Sequence, residues 1–133
     1  MTRIFAFLAL AATAITSFAA APAVESLPSG VIVEHVKVGS GAQPKATDTV
    51  TVNYRGVLET GQEFDSSYKR GVPTSFPLYR VVPCWTEGIQ HLKVGGKAKL
   101  TCPSTTAYGA SGVPGVIPPN AKLTFEVELL GIK

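Results

Sequence analysis

From Lys122 to Leu129 the chain alternates without a break: Leu123, Phe125, Val127 and Leu129 are apolar, while Lys122, Thr124, Glu126 and Glu128 are polar. A period of two with one greasy and one wet face suits a β-strand covered on one side only. The pattern recurs. Val50, Val52 and Tyr54 share one face of TVTVNYRGVL (49–58), with Thr51, Asn53 and Arg55 on the other. Ala98, Leu100 and Cys102 alternate with Lys97, Lys99 and Thr101, and VIVEHVKV (31–38) reads as a strand with mixed faces. EFDSS and TSFPLY add short strand segments between turns. The only helical stretch expected after the N-terminal segment is WTEGIQHL, where Trp85, Ile89 and Leu92 recur at i, i+4 and i+7. So short a helix needs tertiary packing to persist. The predicted class is therefore α+β, an antiparallel sheet covering one helix. Tyr54, Phe64, Phe76, Trp85 and Phe125 are expected to meet near that helix.

The first twenty residues differ from the rest. Arg3 and the terminal amine give a positive start, IFAFLALAATAI is an apolar run, and TSFAAA offers small residues at the cleavage positions. This is the pattern of a secretory signal peptide. The competing reading is an uncleaved anchor, but Thr13, Thr16 and Ser17 interrupt the run and no basic stop follows. The predicted organisation is a signal peptide over 1–20, a flexible leader over 21–30 and one domain over 31–133. Twelve Lys+Arg stand against nine Asp+Glu, interspersed and without a basic block. Nucleic acid is thus not an expected partner, nor is a stable membrane span after cleavage. Two cysteines and two scattered histidines have no zinc-site spacing, so no metal or cofactor is expected. His35 and His91 are expected at the surface without a role. Export to an oxidising compartment makes Cys84 and Cys102 candidates for a disulfide, with unrelated thiols as the alternative. The absence of a C-x-x-C disfavours a thiol-disulfide enzyme.

AYGASGVPGVIPPN (107–120) holds three glycines and three prolines in fourteen residues, so no regular helix or strand is expected through it. Yet it carries Tyr108, Val113, Val116 and Ile117. Apolar side chains on such a backbone suggest one wall of an apolar site, with the aliphatic residues covering a substrate instead of filling the core.

Three stretches, VTVNYRGVLETGQEFDSS, VVPCWTEGIQHLKVGGKAKLTCP and AYGASGVPGVIPPNAKLTFEVELL, together resemble the FKBP-type peptidyl-prolyl isomerases over roughly residues 30 to 132. The resemblance implies a five-stranded antiparallel half-barrel around a short helix, and catalysis of cis/trans isomerisation at X-Pro bonds. It implies proline-containing polypeptides as partners, macrolide inhibitors as further ligands and, for signal-bearing members, the bacterial periplasm. Some such members carry a helical dimerisation region before this domain; the leader here is short, so a monomer is expected. By the same resemblance the pocket is lined by Tyr54, Phe64, Asp65, Phe76, Val81, Val82, Trp85, Tyr108 and Phe125. Trp85 is the floor for the proline ring, the Val82 N–H binds a ligand carbonyl, and the Tyr108 phenol donates to another. Tyr54 and Arg70 hold Asp65, and Val113, Val116 and Ile117 form the flap. Thr74 and Thr106 stand where aromatics are common, which implies more open walls, and Cys84 replaces a common glycine.

These residue types suit the chemistry. Rotation about an X-Pro bond meets a barrier of ~18–20 kcal/mol because amide resonance is lost. A dry aromatic pocket disfavours the polar planar amide relative to the twisted one, which is differential binding of the transition state. Asp65, Tyr108 and Trp85 are the candidate catalytic residues, and the residue before proline is expected to be apolar. A non-catalytic proline-binding module or holdase of the same fold is the alternative. An Asx-turn is the competing role for Asp65, and plain core packing that for the aromatics.

Overall fold

In the computed structural model, which describes residues 23–133, the alternating runs become seven strands. They are β1 (Val24–Ser26), β2 (Ile32–Lys37), β3 (Thr49–Val57), β4 (Glu63–Ser66), β5 (Thr74–Pro77), β6 (Lys97–Cys102) and β7 (Leu123–Ile132). Every pairing is antiparallel, in the order β1-β2-β6-β7-β3-β4, with β5 also on β3. Thr49–Val52 of β3 faces β5, and Arg55–Val57 faces β4. The two short strands therefore occupy one strand position, end to end. With β1 set aside as an added edge, five positions remain, the half-barrel the resemblance implies.

The period of two is realised in burial. Along β3 every second residue from Val50 to Gly56 is buried, and along β7 Leu123, Phe125, Val127 and Leu129 are buried between half-exposed polar neighbours. The greasy face closes over α2 (Pro83–Ile89). Pro83 opens this helix where a missing N–H costs nothing. Cys84, Trp85, Gly88 and Ile89 are its buried residues. The helix stops at Ile89, three residues before the predicted end, but Leu92 is still buried in the core. Cys84 and Cys102 are bridged, with Cα atoms 5.7 Å apart, so a disulfide ties α2 to β6. Closing a loop of 18 residues stabilises by roughly 3 kcal/mol in the chain-entropy account.

Three expectations need correction. A second helix, α1 (Ser67–Arg70), makes one turn between β4 and β5, and 3-10 turns span Leu78–Arg80 and Ser104–Thr106. Elements of one turn have too few residues to show a period. For α1 the local signals are the cap Ser66, whose Oγ accepts from the Lys69 N–H at 3.2 Å, and the left-handed Gly71 after it. Next, the flexible leader is ordered in part: β1 lies inside it and pairs with β2. Last, the histidines are not idle surface groups. The His35 side chain is only 7% exposed, and its Nε2 donates to Glu25 Oε2 at 2.5 Å. His91 Nδ1 lies 3.1 Å from Glu25 Oε1. Glu25 of β1 thereby holds β2 and the segment after α2 together. The predicted signal peptide lies outside the described residues. Among those residues no helix is long and apolar enough to cross a membrane, and no cluster of three metal-ligating side chains occurs.

Candidate active site

At one end of the sheet the core opens into a cavity of about 480 Å³. Its walls come from four strands, a 3-10 turn, the helix α2 and the long loop. β3 supplies Tyr54, β4 supplies Phe64 and Asp65, β5 supplies Phe76, and β7 supplies Phe125. Arg80, Val81 and Val82 lead from the 3-10 turn into α2, which contributes Trp85, and Tyr108 enters from the long loop. Trp85 lies at the base, 4% exposed. Three rings meet the indole edge to face: Tyr54 at 5.0 Å, Phe76 at 5.2 Å and Phe125 at 5.4 Å between centroids. Phe64 packs on Phe125 in the same way at 5.7 Å. Edge-to-face pairs favour this ring arrangement and fix the floor's tilt. The indole N–H has no hydrogen-bond partner among the described residues.

Gly56 explains how the aromatics come so close. It faces Phe125 across the ladder, and a Cβ there would stand 2.6 Å from Phe64 and 2.9 Å from Phe125. Any larger residue would displace those rings. In the sequence Gly56 reads only as a weak point in a strand, so its part in shaping the site is not legible there.

The carboxylate at the rim is fully engaged. The Tyr54 hydroxyl donates to Asp65 Oδ2 at 2.6 Å, and Arg70 Nη1 donates to Oδ1 at 2.6 Å. Arg70 Nη2 donates to the Tyr54 oxygen at 2.9 Å, closing a three-membered ring of bonds. Burial favours the neutral acid, but the hydrogen bonds from Tyr54 and Arg70 outweigh it and hold Asp65 below the usual carboxyl range. Burial, reinforced by the Asp65 charge, pushes the Tyr54 phenol up. At neutral pH the ring of bonds thus carries one carboxylate, one guanidinium and one neutral phenol. Arg70 is aimed by its place in the last turn of α1, and Thr74 touches it at 3.5 Å without bordering the cavity.

The long loop divides its apolar residues. Tyr108 borders the cavity, 40% exposed. Val113, Val116 and Ile117 do not border it. Ile117 is 5% exposed and belongs to the core, Val113 packs against that core, and Val116 is 48% exposed. Ile117 therefore anchors the loop instead of covering the site. Val113 and Ile117 exchange two hydrogen bonds of 2.8 Å, so the loop folds back as a miniature hairpin. Gly112, at φ +59, sits against Ile117 and Pro118 where a side chain would collide. Thr106 is buried with its hydroxyl on the Pro103 carbonyl at 2.8 Å, away from the cavity lining.

Two features of the lining bear on ligand contact. The Val82 N–H makes none of the loop and turn hydrogen bonds among the described residues, while the Val82 carbonyl accepts from Trp85 and Thr86 at the start of α2. Arg80, which stands outside the aromatic pattern of the sequence, also lines the cavity. One signal was available: it is the sole charged residue between Arg70 and Glu87.

A half-barrel whose open end holds an indole floor, aromatic walls and a pinned carboxylate is the architecture the sequence resemblance implies. Residues 40–130 match the family described as FKBP-type peptidyl-prolyl cis-trans isomerase. The chain is 52% identical to the FKBP-type peptidyl-prolyl cis-trans isomerase FkpA of Escherichia coli over 116 residues, 87% of this chain and 43% of that one. It is 50% identical to the peptidyl-prolyl cis-trans isomerase FKBP1A of Xenopus laevis over 78% of this chain and 99% of that one. The crystal structure of FkpA from Escherichia coli superposes with a TM-score of 0.80 at 51% identity, covering 84% of this chain and 52% of that chain. The chain spans less than half the length of FkpA. It belongs to the FKBP-type peptidyl-prolyl cis-trans isomerase family.

Proposed function

We propose that this chain accelerates cis/trans isomerisation of X-Pro bonds in exported proteins. The observation that carries the reading is the Trp85 floor facing a cavity whose only acid, Asp65, is held ionised at the rim. The proline ring lies on the indole, walled by Phe64, Phe76 and Phe125. The unengaged Val82 N–H receives one substrate carbonyl and the Tyr108 hydroxyl another. Removal of water raises the planar amide, with its charge separation, relative to the twisted amide. Each ~1.4 kcal/mol of such preference gives a tenfold faster rotation. No bond to the protein forms or breaks. The carboxylate adds a fixed field beside the rotating bond and, through Tyr54, fixes one wall.

The partners are proline-containing polypeptides, and macrolide inhibitors of the family are further ligands of the same cavity. The N-terminal twenty residues act as a signal peptide, which puts the mature chain in the bacterial periplasm as a monomer. The bridged Cys84 and Cys102 support an oxidising compartment.

The test is a protease-coupled isomerisation assay on short X-Pro peptides with the mature chain. Acceleration over the spontaneous rate is expected. Peptide binding without acceleration would identify a proline-binding module or holdase, and neither would reject the site.

A further inference from the structure

Residues 80–82 line one side of the cavity, and the chain on either side of them is fixed in different ways. Before them, Leu78 is fully buried, and its N–H donates to the Asp48 carbonyl at 2.9 Å. At the other end Val82 caps α2 without a side-chain bond. The Val82 carbonyl takes the N–H groups of Trp85 at 2.9 Å and Thr86 at 3.2 Å. A threonine hydroxyl inside a helix ordinarily bonds back to a carbonyl three or four residues earlier. The Thr86 hydroxyl instead reaches eight residues back and donates to the Leu78 carbonyl at 2.6 Å. This bond joins the start of the 3-10 turn to α2 directly after Trp85. The loop between them, Val82 included, is thereby closed at its base. Thr86 itself does not border the cavity.

We propose that Thr86 is a positioning residue, whose hydroxyl staples this loop to α2 and so aims the Val82 N–H at the substrate carbonyl. The inference rests on the isomerase reading of the same cavity. The direction of that N–H is set by the rigid peptide plane between Val81 and Val82, three residues past the stapled Leu78 carbonyl. Branching at Cβ restricts the threonine to few rotamers, which keeps the hydroxyl aimed. Without the hydroxyl, the Leu78 carbonyl loses its donor, and the loop is tied to the helix through the Val82 carbonyl alone. The substrate carbonyl bonds to Val82 in the planar and the twisted amide alike. A misaimed N–H therefore weakens both states equally, which raises KM and leaves kcat.

The experiment measures KM and kcat on one short Leu-Pro peptide for the unaltered protein and three variants. Thr86→Val, nearly the same in shape, is expected to raise KM by about 3–10-fold with kcat within about 2-fold, as for one weakened hydrogen bond. Thr86→Ser keeps the hydroxyl and should restore KM. Ser29→Ala removes a 2.7 Å bond to Glu87 on the same helix and should leave KM unchanged. Melting curves verify that each variant folds. In NMR spectra, saturating peptide should shift the Val82 amide in the unaltered protein and Thr86→Ser, and shift it less in Thr86→Val. An unchanged KM in Thr86→Val, or a rise that Thr86→Ser or Ser29→Ala shares, overturns the assignment while acceleration by the unaltered protein stands. A Val82 amide unmoved by peptide in the unaltered protein overturns it without any variant. If the peptide binds but is not accelerated, the isomerase reading fails separately. The affinities of the same four proteins, read from Trp85, the sole tryptophan, then decide the staple.

Discussion

Asp65 and Glu25 each accept from two side chains, and the difference lies in the company they keep. Asp65 borders the aromatic cavity and is held by Tyr54 and Arg70. Glu25 sits on the edge strand β1 and is held by His35 and His91. In both, hydrogen bonding keeps the acid below its ordinary range: for Glu25 the bond to His35 leads, opposed by burial and joined by His91. Each joins three segments of chain, β1, β2 and the stretch after α2 for Glu25 and β4, β3 and α1 for Asp65, but only the Asp65 set borders the aromatic cavity. The same local chemistry thus serves as a clasp in one place and as part of a cleft in the other. Hydrogen-bond geometry alone does not separate these roles; the neighbouring surface does.

The largest separation should appear on removing each acid. Asp65→Ala is expected to lower kcat/KM on an X-Pro peptide by about 10–100-fold, equivalent to ~1.4–2.7 kcal/mol. Turnover equal to the unaltered protein would make Asp65 a second clasp. Glu25→Gln should leave turnover intact and lower the unfolding free energy by about 1.5–3 kcal/mol in a denaturant titration, since hydrogen bonds to a charged group contribute in that range. A fall in turnover without a fall in stability would erase the contrast. A smaller effect is expected from Tyr54→Phe, which leaves Arg70 on Asp65. The rate should fall by about 3-fold, roughly 0.7 kcal/mol, and the Asp65 carboxyl, followed by NMR, should titrate nearer its ordinary value of 3.8. An unmoved titration would show that Arg70 alone holds the acid.

How far each region is readable in the sequence follows from the same contrast. The sheet is legible because β3, β6 and β7 bury alternate residues over six to ten positions, long enough for a period to stand out. The cleft is legible through its aromatics, whose types and order match the family. The Glu25 clasp is not, because its members are 10 and 66 residues apart and each alone looks like a surface group. The loop is legible as an ordered wall but not in its detail. Ile117 turns inward and Val116 outward, and only the local hairpin and its glycines decide which. Arg80 is not legible because the spacing of aromatics carries no information about a cation among them. Gly56 escaped because its contribution is the absence of a side chain.

Acid should part the two carboxylates once more, by the pH at which each loses its worth to the fold. Both have a lowered folded-state pKa, so each contributes stability above its unfolded value and loses it as pH falls through the folded one. The unfolded values are 4.5 for Glu25 and 3.8 for Asp65. The stability difference between the unaltered protein and Glu25→Gln should begin to shrink below 4.5. That between the unaltered protein and Asp65→Asn should hold until below 3.8. Denaturant titrations of the three proteins across that interval give both curves. Coincident onsets, or an Asp65 contribution that fades first, would mean that the loss does not begin at the unfolded-state carboxyl of each acid.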